Sequence, residues 1–248
     1  MLEVTANQLP LLTIAIFLVA FLYSSVGHAG ASGYIAVMSL FGLSPVVIKP
    51  VVLALNILVA SIASFQFWRS GHFLWRLFWP FALLAAPFAF WGGRINLPTQ
   101  IFKVIVGVIL LFSAVRFIYP SKIESTIKEP KRPIALLSGL GLGFLAGLTG
   151  TGGGIFLTPL LLLNKWATVK SAAAVSALFI LVNSSAGLLG NLSSTRSFPS
   201  FTSVFAISAI LGGTLGSYLG SNRFEPMVIK RLLAFVLTIA GLKLILTS

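Results

Sequence analysis

The chain has 248 residues, of which 57% are hydrophobic and only 8% are charged, whereas soluble domains carry about 25% charged residues. There is no cysteine, which excludes disulfides, thiolate metal sites and cysteine nucleophiles. The 17 Lys and Arg residues outnumber four acidic ones, giving a formal net charge of +13. This composition predicts an all-α integral membrane protein. In chain order, the apolar segments of the first half cover residues 10–25, 34–41, 46–68, 77–91 and 101–119.

A hydrophilic stretch at residues 120–132 separates these segments from a second set with the same spacing. The second set covers residues 133–148, 155–163, 169–189, 201–219 and 227–247. An offset of 121 residues places Gly33 on Gly154 and Lys49 on Lys170. The sequence therefore predicts a duplicated unit, each copy being a broken helical hairpin plus three transmembrane helices. The predicted domains are a first repeat (1–119), a basic cytoplasmic linker (120–132) and a second repeat (133–248).

The distribution of basic residues favours an inverted relation between the two repeats. If the linker is cytoplasmic and each broken hairpin enters and leaves on one side, 12 of the 17 Lys and Arg residues lie on the cytoplasmic side. If each hairpin crossed the membrane once instead, the cytoplasmic count of the second half would fall from five to one. Inverted repeats would bring the two breaks together near the membrane midplane.

A glycine-rich stretch at residues 148–154 interrupts the apolar run of the second half. A glycine costs roughly 1 kcal/mol against alanine inside a helix, so this stretch predicts a helix that stops within the membrane and restarts. A restarting helix presents backbone N–H groups and the positive end of its dipole, which suit an anion. Such backbone is tolerated in a bilayer only where it lines a cavity or is buried in protein. The corresponding stretch of the first half spans residues 27–33.

The four acidic residues all lie outside the hydrophobic runs, at Glu3, Glu124, Glu129 and Glu225. Carriers of cations and protons commonly use carboxylates within the membrane, and this chain has none to offer there. We therefore expect a small anion as substrate, no metal, no cofactor and no nucleic-acid partner. The glycine stretch lacks the Lys–Ser/Thr of a nucleotide-binding loop, so the expected transport is secondary.

The segment Gly147–Leu160, with the sequence GLTGTGGGIFLTPL, resembles the glycine-rich signature of the sulfite exporter TauE/SafE family. The resemblance extends over nearly the whole chain, including the duplication. It implies a multi-pass permease for sulfur-containing anions such as sulfite, sulfoacetate and related sulfonates, located in the cell (inner or plasma) membrane. The first-half copy is looser, because His28, Ser32 and Met38 stand where the second half has Thr149, Gly153 and Pro159.

The predicted substrate-binding residues lie at the two breaks and in the segments that follow them. Glycines either bind the anion through their backbone or allow close helix packing, and packing accounts for Gly139, Gly143 and Gly147. Hydroxyls either contact the anion or cap the restarting helix. The predicted set is Gly27, His28, Gly30, Ser32, Gly33, Asn56, Thr149, Gly150, Thr151, Gly152, Gly153, Gly154, Ser176 and Asn183.

Several roles stay open from the sequence. His28 either pairs with the anion and carries a coupled proton or is a structural histidine. Lys49 and Lys170 either attract anions at the pathway mouths or extend to lipid headgroups. Asn56, Ser176 and Asn183 either line the pathway or join helices. The glycine stripe Gly212, Gly216 and Gly220 suits a homodimer contact or internal packing.

The sequence thus predicts a non-enzymatic secondary transporter working by alternating access around two helix breaks in a lipid bilayer. Proton coupling through His28 and potential-driven uniport both remain open. The alternative from another class is an intramembrane serine protease, because Gly30–Gly33 reads Gly-Ala-Ser-Gly. Such a protease would need a base within hydrogen-bond reach of Ser32.

Overall fold

The computed structural model describes residues 8–25, 28–118, 127–195, 198–222 and 226–246. These residues form ten α-helices and no strand, as the composition predicts. The first five are α1 (Gln8–Ser25), α2 (Ala31–Leu40), α3 (Pro45–Arg69), α4 (Trp75–Arg94) and α5 (Thr99–Ile118). The second five are α6 (Arg132–Thr149), α7 (Gly154–Leu163), α8 (Val169–Thr195), α9 (Thr202–Asn222) and α10 (Pro226–Leu246).

Within the described ranges, five helices are long and apolar enough to cross a membrane, namely α1, α3, α6, α8 and α9. The outward surfaces of the bundle are apolar as well. Leu11 on α1, Val108 on α5 and Leu137 on α6 are each more than half exposed. Exposed apolar faces of this extent are typical of helices that contact lipid. The all-α integral membrane fold is therefore confirmed.

The helices of the two halves follow the same order of lengths. They have 18, 10, 25, 20 and 20 residues in the first half and 18, 10, 27, 21 and 21 in the second. In each half a long helix is followed by a ten-residue helix, as expected for a broken hairpin. The inverted orientation of the halves and the domain boundaries stay predictions.

Glycine seams hold pairs of helices in close contact. A Cβ added at Gly139, Gly143 or Gly147 of α6 would meet the backbone of α4, at Phe81, Ala85 and Ala89 respectively. On α9, Gly212 and Gly216 lie in the same way on α1, at Phe17 and Phe21. The packing interpretation of α6 is confirmed. The stripe on α9 is occupied by α1, so internal packing accounts for it, and the surroundings of Gly220 lie outside the described part. The homodimer stays a prediction, and the glycine stripe on α9 no longer supports it.

The two most buried spanning helices, α3 and α8, pack against each other. The short helix α2 contacts α3, and the short helix α7 contacts α8. Each of the two short helices therefore packs against one helix of the central pair. Each short helix begins directly after a helix break, so both breaks lie close to the core.

Candidate functional site

The second glycine stretch forms a helix break. Helix α6 ends at Thr149, and Gly150, Gly152 and Gly153 follow with φ of 82°, 72° and 82°. Residues other than glycine rarely adopt this left-handed conformation. The Gly150 N–H donates to the Ala146 carbonyl at 2.9 Å, which closes α6. Gly153 then caps α7, because its carbonyl accepts from the N–H groups of the first turn. The predicted stop and restart is confirmed.

The first glycine stretch also separates two helices, but its glycines are placed differently relative to the start of the short helix. Helix α1 ends at Ser25 and Gly30 caps α2 with a φ of 103°. Gly33, predicted as part of the break, is instead the third residue of α2, where a Cβ would clash with Val19 and Tyr23 of α1. It is a packing glycine. Gly27 lies outside the described residues.

The left-handed caps define the structural equivalence of the two breaks. Gly30 and Gly153 each precede a ten-residue helix, and they are 123 residues apart. The offset of 121 residues, which pairs Gly33 with Gly154, is therefore wrong at this place. The reason is that the conformation of the cap sets where a helix restarts, while the number of glycines beside it varies.

Residues from both breaks line one cavity in the core. The first break contributes Tyr23 and residues 28–32, the second contributes Thr151 and Ile155, and the central helices contribute Asn56 and Ile180. The cavity measures about 10 Å³, which is roughly the space that the centre of one water molecule needs. The structure thus leaves little free volume at this site. Of the predicted residues, it brings together His28, Gly30, Ser32, Asn56 and Thr151.

Two pairs of hydroxyl groups lie at this site. The Tyr23 and Ser32 hydroxyls are 2.7 Å apart and both residues are buried. Thr149 donates its hydroxyl to the Leu145 carbonyl at 2.7 Å, so the 3.0 Å contact between the two threonine hydroxyls must have Thr151 as the donor. Thr149 therefore makes the backbone bond that was the alternative to substrate contact. Tyr23 was missed by sequence reasoning, because it reads as one more apolar residue at the end of the first segment.

Two buried asparagines flank the second break from the central helices. Asn56 on α3 points its Nδ2 at the Gly150 carbonyl (3.5 Å) and at Ser184 Oγ (3.4 Å). Asn183 on α8 lies beside Gly153, with its Nδ2 3.5 Å from the Cβ position of that glycine. Among the described residues, Asn56 Oδ1 and both amide atoms of Asn183 have no hydrogen-bond partner. Ser184, which also faces Gly152, had no sequence signal beyond its place in an apolar span.

The two lysines predicted at equivalent positions have different environments. Lys49 is buried, and its Nζ donates to the carbonyls of Gly92 (3.2 Å), Gly93 (2.8 Å) and Ile95 (2.8 Å). It thereby caps the C-terminus of α4, where carbonyls lack partners within the helix. Lys170 is exposed. The predicted symmetry is wrong because Lys49 is the fifth residue of α3 and Lys170 only the second residue of α8.

Ser176 lies away from the cavity lining. Its Oγ accepts a hydrogen bond from Thr158 Oγ1 at 2.8 Å, which joins α7 to α8. Gly154 likewise belongs to this contact, since a Cβ there would meet Ile180. Of the two uses open from the sequence, Ser176 therefore has the helix-joining one.

The surroundings of Ser32 and the distribution of possible metal ligands bear on the catalytic and metal alternatives. The Ser32 hydroxyl is 2.7 Å from the Tyr23 hydroxyl, and His28, whose imidazole could act as a base, lines the same cavity. Within the described ranges there is no group of three or more His, Cys, Asp or Glu residues that could hold a metal ion.

Two interrupted helices whose restarts meet at one small cavity, inside a bundle of apolar helices, are the arrangement found in secondary membrane transporters. The family described as Sulfite exporter TauE/SafE matches residues 12–244, and the chain belongs to this family. It is a multi-pass membrane protein of a transporter family.

Relatives with the same general name occur in bacteria and archaea. The chain is 39% identical to a probable membrane transporter protein of Sinorhizobium fredii, over 94% of this chain and 97% of that one. It is 26% identical to a probable membrane transporter protein of Methanocaldococcus jannaschii, over 96% of each chain. A probable membrane transporter protein of Bacillus subtilis is 29% identical over 57% of this chain and 56% of its own. No solved structure matches the chain.

Proposed function

We propose that the protein is a secondary permease for small sulfur-containing oxyanions, such as sulfite, sulfoacetate or related sulfonates. The proposal rests mainly on one observation: the starts of α2 and α7 meet at a single cavity. The first N–H groups of a helix have no partner within that helix, and together with the helix dipole they favour a negative charge. Two such ends at one cavity favour an oxyanion over a cation or a neutral solute.

The charges around the site support an anionic substrate. Lys49 is a buried cation whose side chain passes the second break, with its Cγ 3.4 Å from the Cβ position of Gly150. Its three hydrogen-bond acceptors are neutral carbonyls, so its charge is not cancelled. Of the four glutamates, Glu129 is exposed and the other three lie outside the described residues. A buried, uncompensated positive charge beside the second break lowers the cost of bringing an anion into the membrane.

Alternating access then requires the parts around the cavity to move against one another. Glycine seams hold α6 on α4 and α9 on α1 through backbone contacts, which leaves little freedom within each pair. We therefore propose that these pairs move as rigid bodies about the central helices α3 and α8. The small cavity between the two breaks would then become accessible first from one side of the membrane and afterwards from the other. Residence in the inner or plasma membrane is part of the same proposal.

Flux into proteoliposomes of purified protein tests this function. Labelled sulfite, sulfoacetate, sulfate and chloride would be offered with and without a pH gradient. The Gly152→Leu variant should abolish flux, because a side chain there would overlap Ser184, Ile180 and Asn56. Gly141→Leu is the matched control, since Gly141 has open space around its Cβ position. The expected result is that Gly141→Leu transports sulfur oxyanions as the unaltered protein does, while Gly152→Leu does not. Absence of flux for every anion, with folded protein, would contradict the permease.

A further inference from the structure

We propose that the site takes its oxyanion in a form that carries a hydrogen-bond donor, that is, as the protonated monoanion, and that Asn56 is the residue that selects it. This inference rests on the proposed permease function and specifies the form of the substrate. It follows from counting which lone pairs and which protons at the cavity are already used.

The amide oxygen of Asn56 is an unused acceptor. Asn56 lines the cavity and is fully buried. Its Nδ2 faces the Gly150 carbonyl, which can only accept, so the orientation of the amide is determined by that neighbour. Oδ1 is thereby left on the other side without a partner among the described residues. A buried acceptor without a donor is costly, and a ligand that supplies a donor removes the cost.

Thr151 adds a second acceptor at the same cavity. Its hydroxyl proton is committed to Thr149, because Thr149 spends its own proton on the Leu145 carbonyl. What Thr151 has left for a ligand in the cavity is its oxygen lone pairs. Two lining residues, Asn56 of α3 and Thr151 of the second break, therefore have lone pairs that are not yet used.

Donors come from the other components of the site. The first turns of α2 and α7 supply backbone N–H groups. A fully deprotonated oxyanion satisfies these donors but supplies no donor to Asn56 Oδ1. An oxyanion with one O–H or N–H group satisfies both kinds of partner. Sites with buried polar groups discriminate strongly against ligands that leave such groups unpaired.

Sulfite takes up a proton near neutral pH, so both forms are available to the protein. Sulfate stays doubly charged in the same range, and we expect it to be rejected. The titratable groups near Asn56 are Tyr23 of α1 and His28 before α2, which line the cavity, and Lys49 on the same helix. The elements α8 and α9 contribute no described titratable side chain to the lining. Because these groups and the substrate all respond to pH, the test is made at one pH.

The test uses two monoanions of the same shape that differ in one group. Sulfamate carries an NH₂ group where methanesulfonate carries CH₃, and both are singly charged. Each would compete with labelled sulfite for uptake into proteoliposomes at a fixed pH. We expect sulfamate to compete at least about tenfold better than methanesulfonate, as hydrogen-bonding sites discriminate by that much or more. Sulfate should compete no better than methanesulfonate.

The variant Asn56→Leu should reduce the preference for sulfamate from about tenfold to about twofold or less, because leucine has a similar shape but offers no acceptor to the NH₂ group. Asn191→Leu is the matched control, a buried asparagine of α8 bonded to Asn96 outside the cavity, and it should keep the preference. Equal competition by the two probes in the unaltered protein would overturn the inference even if no variant folds. A preference that survives in Asn56→Leu would overturn the role of Asn56. If sulfite itself is not taken up, the permease proposal fails instead.

Discussion

The two helix breaks share a backbone conformation and differ in their chemistry. Both short helices start after a left-handed glycine, Gly30 or Gly153. The first break surrounds its glycine with side chains that can exchange protons or hydrogen bonds, namely Tyr23, His28 and Ser32. The second break has three left-handed glycines, and its threonine hydroxyls bond to each other and to the backbone. Under the proposed function, we expect the shared backbone to serve anion binding and helix movement, and we expect coupling to depend on the side chains that differ.

The largest effect is expected where the second break has no room for a side chain. Gly153→Ala would place a Cβ 2.9 Å from Phe179 at a φ of +82°. A displacement of the restart by about 1 Å is enough to cost on the order of 100-fold in rate. Gly42→Ala is the control, because Gly42 has a φ of +80° with open space around it. Flux assays should show near-complete loss in the first variant and near-normal flux in the second. Equal flux in the two would mean that crowding at Gly153 is unimportant.

The next effect separates the two lysines. Lys49→Met removes a buried charge and leaves three carbonyls at the end of α4 without their donor, which should lower the free energy of unfolding by about 2–4 kcal/mol. Lys170→Met, at an exposed position, should change it by less than about 0.5 kcal/mol. Thermal melting in detergent measures the stability.

Flux measured on the same lysine variants tests the electrostatic role. Loss of the buried charge should reduce anion flux about tenfold, the cost of roughly 1.4 kcal/mol in the barrier. A Lys49→Met protein that melts early but transports normally would restrict Lys49 to a structural role.

A smaller effect is expected from the hydroxyl pair of the first break. Tyr23→Phe or Ser32→Ala removes one hydrogen bond of about 1 kcal/mol, so the apparent KM for sulfite should rise about fivefold. Ser113→Ala is the control, a buried serine of α5 bonded to its own helix at the Ile109 carbonyl. Loss of peptide cleavage in Ser32→Ala, with unchanged flux, would instead support the protease interpretation.

The smallest effect on flux itself is expected from His28→Gln. Glutamine keeps a polar group at the cavity but cannot carry a proton, so flux without a pH gradient should fall by less than about threefold, the range of one altered hydrogen bond. Stimulation by a pH gradient should disappear if His28 carries the coupled proton. Stimulation that persists in the variant would assign the coupling to another group or to the protonated substrate.

The sequence by itself determined the features that depend on local composition. An apolar content of 57% with few charges requires helices in a membrane, and clustered glycines at residues 150–154 stop a helix wherever it is placed, because their backbone is free to become left-handed. The stripe Gly139–Gly143–Gly147 lies on one face of a helix by its four-residue spacing, so its packing role was also predictable.

Tertiary structure alone decided what each polar group meets. From the sequence, Lys49 resembles a surface lysine. In the structure α4 ends beside it, and three carbonyls from residues more than 40 positions away accept its hydrogen bonds. Asn56 faces the Gly150 carbonyl, 94 positions along the chain, because α3 packs at the second break. Tyr23 and Ser32 became partners because α2 packs against α1. Hydrogen bonds act over about 3 Å, and helix packing, which no local pattern encodes, decides which groups come that close.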